Sequence, residues 1–289
     1  MSDRSEQYNR RCVVCQTRTE PVVVWEKWGY PILRCDRCGV GWTYVGNEFD
    51  ATSLYNRSYF EGGQKDGYAD YLRSESVLRI EFRRALAQLR RHGTKGGRLL
   101  EVGCAYGFFL LEAQRYFECS GIEISDDATK FCRSRGLDVR FGTVTEDLIT
   151  QGPFDAVVML DCVEHLVNPG ETLAILWHAL SKRGSLMIST GDWASFLACV
   201  MGRRWRLMTP PQHLFFFSRR TLTSLLAKTG FRVVHYARPW KIVPLGLIAY
   251  QLGSRLRFRL PSLELLNSVG IPVNLFDAVR LVARKQDRP

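Results

Sequence analysis

Between residues 98 and 190 the sequence alternates short apolar runs with amphipathic segments, and no other feature restricts the fold as much. Runs at 98–102, 120–124, 137–141, 154–160 and 185–190 read as strands, whereas 108–116, 126–135 and 169–180 read as helices. Strands alternating with helices at this spacing imply a parallel sheet with right-handed crossovers. Ligands of such sheets lie at the carboxyl ends of the strands, near the point where strand order reverses. A surface helix over 70–91 precedes the first strand, with Leu72, Val77, Ile80, Leu86 and Leu89 apolar between charges; Gly93 and Gly96-Gly97 end it.

Three features fall at those strand ends. Gly103-Cys-Ala-Tyr-Gly107 follows the first strand, and its small residues bring main-chain amides close to a ligand. Glu123 ends the second strand 20 residues past Gly103, where a carboxylate accepts ribose hydroxyls. Asp161-Cys-Val-Glu164-His165 closes the strand at 154–160 and interrupts an apolar run with polar side chains. A nicotinamide dinucleotide requires G-x-G-x-x-G, with its pyrophosphate on the helix N-terminus. This chain offers G-x-A-x-G without the third glycine, and Glu101 stands two residues before the turn, where it repels an anion and suits a cation.

The stretches Glu101-Val-Gly-Cys-Ala-Tyr-Gly107, Glu123-Ile124, Asp155 through Leu166 and Gly184-Ser-Leu-Met-Ile-Ser189 resemble the successive motifs of class I S-adenosylmethionine-dependent methyltransferases. The resemblance covers 97–236 and implies an α/β, doubly wound, Rossmann-like sheet of seven mostly parallel strands, with a last antiparallel strand at 278–283. It implies that Glu101, Gly103 and Gly107 surround the methionine part of the cofactor, that Glu123 holds the ribose and that Ile124 packs on adenine. Ala105, Phe108 and Asp161 are assigned to the same cofactor pocket. The family's usual pattern has glycine where this chain has Ala105, a small intrusion into the turn.

Cys12-x2-Cys15 and Cys35-x2-Cys38 form two pairs separated by 19 residues, the spacing of a four-thiolate zinc site. Strands at 22–25 and 30–33 around Trp28-Gly29 make the lobe a zinc ribbon, and Gly39 suits the tight knuckle after the second pair. A redox C-x2-C would sit at a strand-to-helix junction of a βαβ unit, and neither pair does. Four cysteine ligands leave no open position, so the Zn2+ is structural. The remaining five cysteines lie singly in apolar segments and read as reduced, packed thiols.

The zinc pairs, then Leu54-Tyr-Asn-Arg-Ser-Tyr-Phe60, then the methyltransferase motifs, then 205–218 together resemble bacterial methyltransferases of sugar, glycan and natural-product pathways with an N-terminal zinc-binding lobe. This second resemblance divides the chain into a zinc-ribbon lobe at 1–48, an aromatic lid and linker helix at 49–96, and a methyltransferase domain at 97–289 with a basic insertion at 240–275. It implies that Tyr55 and Tyr59 fold over the cofactor; packing of the lobe against the core accounts for the same aromatics equally well.

Methyl transfer is largely a matter of positioning, with a base added when the acceptor must lose a proton. His213 lies on the loop after the fifth strand, beside the substrate mouth, and is the favoured general base. His165, following Asp161, is the second candidate; a helix-start histidine bonded to backbone is its alternative reading. In the related sugar C-methyltransferases a glutamate precedes the loop histidine, and here that place is Gln212. Its absence favours O-methylation of a sugar, glycan or other small-molecule intermediate over C-methylation.

The net charge of +11 is concentrated at one end: from Val200 onward there are 16 Lys/Arg and 3 Asp/Glu. Such a face calls for an anionic neighbour, whether a phosphate-bearing or lipid-linked acceptor, a membrane surface reached by the amphipathic stretch 241–260, or RNA. Against an RNA methyltransferase, residues 1–48 carry seven basic and six acidic side chains, too neutral for a nucleic-acid-reading ribbon. An interaction module fused to a degenerate cofactor domain is disfavoured by the intact Glu101, Gly103, Gly107 and Glu123. Without a secretory apolar core or a span-length apolar run, the expected location is cytoplasmic, with peripheral contact at the inner face of a membrane as the alternative.

Overall fold

A computed structural model describes residues 10–46, 49, 54, 71–244 and 270–286. Tyr55, Tyr59 and most of the basic insertion lie outside the described residues. In the N-terminal lobe β1 (Arg10–Arg11) pairs with β2 (Arg18–Thr19), and β3 (Val22–Lys27), β4 (Tyr30–Arg34) and β5 (Gly41–Thr43) form an antiparallel sheet. The β3–β4 reversal is made by Trp28 and Gly29, both left-handed at φ 53° and 81°. Two such residues match the right-handed twist of the flanking strands, which explains the tight hairpin.

After α1 (Glu75–His92), the predicted alternation is realised as β6 (Gly97–Val102), α2 (Phe108–Ala113), β7 (Phe117–Glu123), α3 (Asp126–Ser134), β8 (Asp138–Phe141), α4 (Leu148–Gln151), β9 (Phe154–Leu160), α5 (Pro169–Ala179) and β10 (Leu180–Gly191). Helix starts carry their caps: the Ser125 hydroxyl accepts from the Ala128 amide, and Asn168 precedes Pro169 at the first position of α5. Helix α2 is shorter than the predicted 108–116, because Tyr116 N–H turns back to the Ala113 carbonyl at 2.9 Å and β7 begins at Phe117.

The chain continues through α6 (Phe196–Met201), β11 (Phe215–Phe216), α7 (Arg219–Lys228), β12 (Phe231–Ala237), β13 (Lys241–Pro244), β14 (Gly270–Val273) and β15 (Ala278–Lys285). Seven strands form one sheet in the order β12-β15-β10-β9-β6-β7-β8, with β6 parallel to both β7 and β9, and β15 antiparallel to β10 and β12. Strand order reverses at β6, so its carboxyl end opens on a crevice flanked by β7 and β9. Leu99, Val157, Val158, Leu186, Met187 and Val279 of the sheet are completely buried, as expected for strands covered on both faces. Helix α1 is fastened to α2 by the buried Glu112 carboxylate, which accepts from Arg79 Nε at 2.6 Å and Arg83 at 3.0 Å.

Two connections alter the picture read from sequence. Strand β11, inside the methyltransferase part, pairs with β5 (Phe215↔Trp42, Phe216↔Gly41) and so supplies the fourth strand of the lobe's sheet. The two ends of the insertion pair as β13 and β14, and the described part of the stretch 241–260 is therefore strand, its lysine turned inward. Among the described residues no helix is long and apolar enough to cross a membrane.

The loop leading toward β11 is anchored by Asp277, ahead of β15, which accepts from Trp205 Nε1 at 2.9 Å and forms a two-pronged pair with Arg206 at 2.9 Å on each oxygen. Burial opposes the Asp277 charge, yet Arg206 and Trp205 outweigh it and hold its pKa below the usual carboxylate value. Asp277→Ala should cost about 2–3 kcal/mol in chemical denaturation, less than a fully buried pair because the Arg206 side chain is 41% exposed. With the folded pKa depressed, the wild type should keep this increment at neutral pH and lose it as pH falls below about 4, while the variant shows no such loss.

Candidate functional site

The site begins where β6 ends. Gly103 and Cys104 both donate to the Ile122 carbonyl, at 2.8 and 3.3 Å, which folds the turn across the end of β7. Gly103, Ala105 and Gly107 take left-handed φ values of 72°, 47° and 73°. Space is as restrictive as angle: a Cβ on Gly103 would lie 2.8 Å from Cys162 Sγ, and one on Gly107 would collide with Leu137. Ala105 adopts the glycine-like conformation despite its methyl group, at a cost of about 1–2 kcal/mol. Its N–H donates to Glu123 Oε2 at 2.7 Å, and its carbonyl accepts from Cys132 Sγ at 3.3 Å. The alanine is thus a strained residue that orients the neighbouring carboxylate.

Glu123 is buried and receives one main-chain N–H on each oxygen, Ala105 on Oε2 and Ser125 on Oε1 at 2.8 Å. A carboxylate has about four acceptor directions, so both oxygens retain capacity for a vicinal diol. Burial raises its pKa, opposed by the N–H donors of Ser125 and Ala105. Glu101 is buried as deeply, and its Oε2 has no hydrogen-bond partner among the described residues. Burial pushes its pKa well up, and Cys132 and Glu123 add to the effect. An orphaned buried acid beside a glycine cradle fits a ligand that brings positive charge and N–H donors, as the sulfonium and ammonium of S-adenosylmethionine do.

Asp161, at the end of β9, is left-handed at φ 51° and accepts from Ser189 Oγ at 2.9 Å. Its other oxygen meets Lys241 Nζ at 2.5 Å; the same ammonium lies 3.0 Å from Glu81, and Arg280 approaches Glu81 at 3.3 Å. Burial works against the Asp161 charge, but Lys241 overrides it and lowers the pKa. Burial likewise works against the lysine charge, and Asp161 with Glu81 raises its pKa to about 12. No sequence motif marks Glu81, Lys241 or Arg280; the available signal is charge at apolar positions, Arg280 within β15 and Glu81 on the inner face of α1.

The two candidate histidines meet. The rings of His165 and His213 stand edge to face with centroids 4.7 Å apart. His165 Nδ1 lies 2.8 Å from the Gln212 carbonyl, so Nδ1–H donates and the lone pair is on Nε2. Loss of solvation lowers both pKa values, His213 to about 3 with a further push from His165. Glu164, also buried, has its pKa raised to about 8 by burial and by Asp161. The loop is set by the lobe: Thr43 Oγ1 donates to the His213 carbonyl at 2.6 Å, Thr43 N–H to the Leu214 carbonyl at 2.9 Å, and Leu214 N–H to the Glu164 carbonyl at 2.9 Å.

The remaining assignments divide. Ile124 is half-buried just past β7, where the resemblance puts it. Phe108 is fully buried, its ring stacked on Tyr71 at 5.4 Å, so any cofactor contact from this position comes through its main chain. Tyr59 lies outside the described residues. The four lobe cysteines converge, with all sulfurs within 4.8 Å of one another and Cys12–Cys38 and Cys15–Cys35 at 3.6 and 3.7 Å. Tetrahedral zinc with sulfur at about 2.3 Å places ligands about 3.8 Å apart, close to these separations. The knuckles repeat one pattern: Gln16 N–H donates to Cys12 O and Gly39 N–H to Cys35 O, with left-handed Gln16 and Gly39.

Strand order, glycine cradle and spaced acids together define a class I S-adenosylmethionine-dependent methyltransferase. The chain belongs to the family described as "Methyltransferase domain", which matches residues 75–236. A ubiquinone biosynthesis O-methyltransferase of Xylella fastidiosa (strain 9a5c) is 27% identical over 53% of this chain and 69% of its own length. One from Methylococcus capsulatus is 26% identical over 51% of this chain and 64% of its own. In fold, the chain resembles magnesium protoporphyrin IX methyltransferase (ChlM) of Synechocystis PCC 6803 with bound SAH, at a TM-score of 0.51, 14% identity and coverage of 81% of this chain and 98% of that one. Replacement of Glu123 by alanine should weaken S-adenosylhomocysteine binding in calorimetry by about 10–100-fold, the range for charge-assisted hydrogen bonds.

Proposed function

We propose that this methyltransferase transfers the methyl group of S-adenosylmethionine to a hydroxyl oxygen of a small-molecule acceptor: a sugar, a glycan or another biosynthetic intermediate. The observation that carries the reading is the convergence of the buried acids with the histidine pair. A Cβ on Gly103 would lie 2.8 Å from the sulfur of Cys162, which stands between Asp161 and the Glu164–His165 segment; Ala105 in the same turn holds Glu123, and His165 meets the His213 ring. Cofactor-type carboxylates and the histidine pair therefore stand at adjoining strand ends of the sheet. The cofactor supplies an electrophilic methyl. Glu101 with Gly103, Ala105 and Gly107 would hold its methionine part, Glu123 its ribose and Ile124 its adenine, with Asp161 and Tyr59 completing the pocket.

Deprotonation of the hydroxyl is assigned to the His165–His213 pair, His213 being the favoured member. Gln212 supports oxygen over carbon as the acceptor atom, because an amide stands where the related sugar C-methyltransferases carry a carboxylate ahead of the loop histidine. The curated relatives, named as O-methyltransferases, support the same choice. We assign Cys12, Cys15, Cys35 and Cys38 to structural zinc in a lobe spanning 1–48. An anionic acceptor or membrane surface suits the basic C-terminal third, where exposed Val200 and Met201 lie beside Arg203 and Arg204.

Incubation with methyl-labelled cofactor and separate pools of nucleotide sugars, glycolipids, quinone precursors and total RNA should label a small-molecule or glycolipid pool; label in RNA alone would overturn the reading. His213→Ala should reduce turnover about 10²–10⁴-fold while S-adenosylhomocysteine affinity stays unchanged. Unaltered turnover would remove His213 from the reaction. Cys15→Ser should release the lobe zinc in metal analysis and lower both melting temperature and turnover, since β5 holds the His213 loop.

A further inference from the structure

The histidine pair has a third member that neither the resemblance nor the acid–base reading uses. Glu164 is 3% exposed, and its Oε2 has no hydrogen-bond partner among the described residues, an arrangement that costs about 1–3 kcal/mol unless a ligand satisfies it. One donor atom from each of Glu164, His165 and His213 lies within 4.8 Å of the other two. His165 spends Nδ1 on the Gln212 main-chain carbonyl at 2.8 Å, and the His213 ring stands edge to face against it with centroids 4.7 Å apart. A carbonyl partner on Nδ1 fixes the ring plane and tautomer, an arrangement common to metal-bound histidines. The carboxylates of Asp161, Glu101 and Glu123 act on the same neighbourhood, and Lys241 offsets the first of them. A further positive charge is favoured there.

We propose that Glu164, His165 and His213 form a second metal site, distinct from the cysteine quartet, which takes a divalent first-row transition-metal cation. Two imidazoles and one carboxylate are the donor types of zinc, iron and cobalt sites, and three protein ligands leave positions open. Metal–ligand bonds of about 2.0–2.2 Å require the three donors to draw together by roughly an ångström, a small side-chain rotation. The anchors that resist disorder are already present, since Thr43 holds the His213 carbonyl and Leu214 N–H holds the Glu164 carbonyl.

The role of the ion rests on the O-methylation reading; its binding does not. An acceptor hydroxyl at an open position would be acidified by the cation; with the ion bound, His165 and His213 serve the O-methylation as its ligands in place of accepting the proton themselves. The acceptor O–H bond breaks and its proton leaves to water. The new O–CH3 bond forms as the S–CH3 bond of the cofactor breaks, the sulfonium becomes a thioether, and the cation changes neither charge nor oxidation state.

Chelator-stripped full-length chain titrated with Co2+ tests the site, because thiolate-bound cobalt shows charge-transfer absorption in the near ultraviolet and an N/O site shows only weak visible bands. Two Co2+ per chain are expected, one with thiolate bands and one without. Glu164→Gln and His213→Asn should each lose only the second ion, with thiolate bands and S-adenosylhomocysteine binding retained as proof of folding. A single thiolate-bound Co2+ in the wild type, or a second ion that survives both substitutions, would overturn the site. If the second ion binds as described and no hydroxyl acceptor is ever methylated, the site stands and the proposed reaction falls. Methyl transfer to oxygen at an undiminished rate by protein stripped of the second ion would leave the reaction standing and remove the ion's role in it.

Discussion

The pairing of β5 with β11 governs the reaction end of this molecule. Residues 212–214 lie outside any helix or strand, yet all three of their carbonyls are engaged. The Gln212 carbonyl takes His165 Nδ1–H, the His213 carbonyl takes the Thr43 hydroxyl, and Leu214 bonds Glu164 on one side and Thr43 on the other. The cysteine lobe thereby controls the geometry of a site to which it contributes no reacting group. The four converged cysteines suit this task, because a small lobe lacks the core to hold a strand rigidly and a metal bound by them would supply that rigidity.

The second organising constraint is an excess of buried acid groups at the strand ends, whose ionisation burial opposes. Glu101, Glu123 and Glu164 are all buried, and Lys241 lies against Asp161. Burial of several like charges is costly, and the cost falls when cationic ligands enter. The same physics accounts for the preference of the turn for a sulfonium nucleotide over a pyrophosphate and for the cation we place beside the histidines. It also explains the inward course of β13: Lys241 bridges Glu81 of α1 and Asp161 of β9, which fastens the base of the insertion across the crevice.

Local backbone strain also falls at these strand ends. Ala105 and Asp161 are both left-handed, one after β6 and one after β9. Each is held by several independent contacts: Ala105 through Glu123 and Cys132, Asp161 through Ser189 and Lys241. Such over-determination is how a protein retains a backbone conformation that local preference disfavours.

The parallel sheet, its cofactor turn and the cysteine quartet are legible in the chain of residues alone, because each depends on periodicity or spacing over short stretches. Glu101, Glu123 and Asp161 are legible for the same reason, standing where apolar runs stop. Helix ends are less so, as at Ala113, where the cost of one more turn depends on the position of the next strand in space. Other features arise only in three dimensions. Residues as distant as Thr43 and His213, or Glu81, Asp161, Lys241 and Arg280, meet only because strands remote in sequence are neighbours in a sheet or face one another across its end. No local pattern encodes such a meeting. Glu164 shows the limit most clearly: it is visible in the strand-end motif, but its orphaned oxygen exists only once the surrounding fold has excluded water from it.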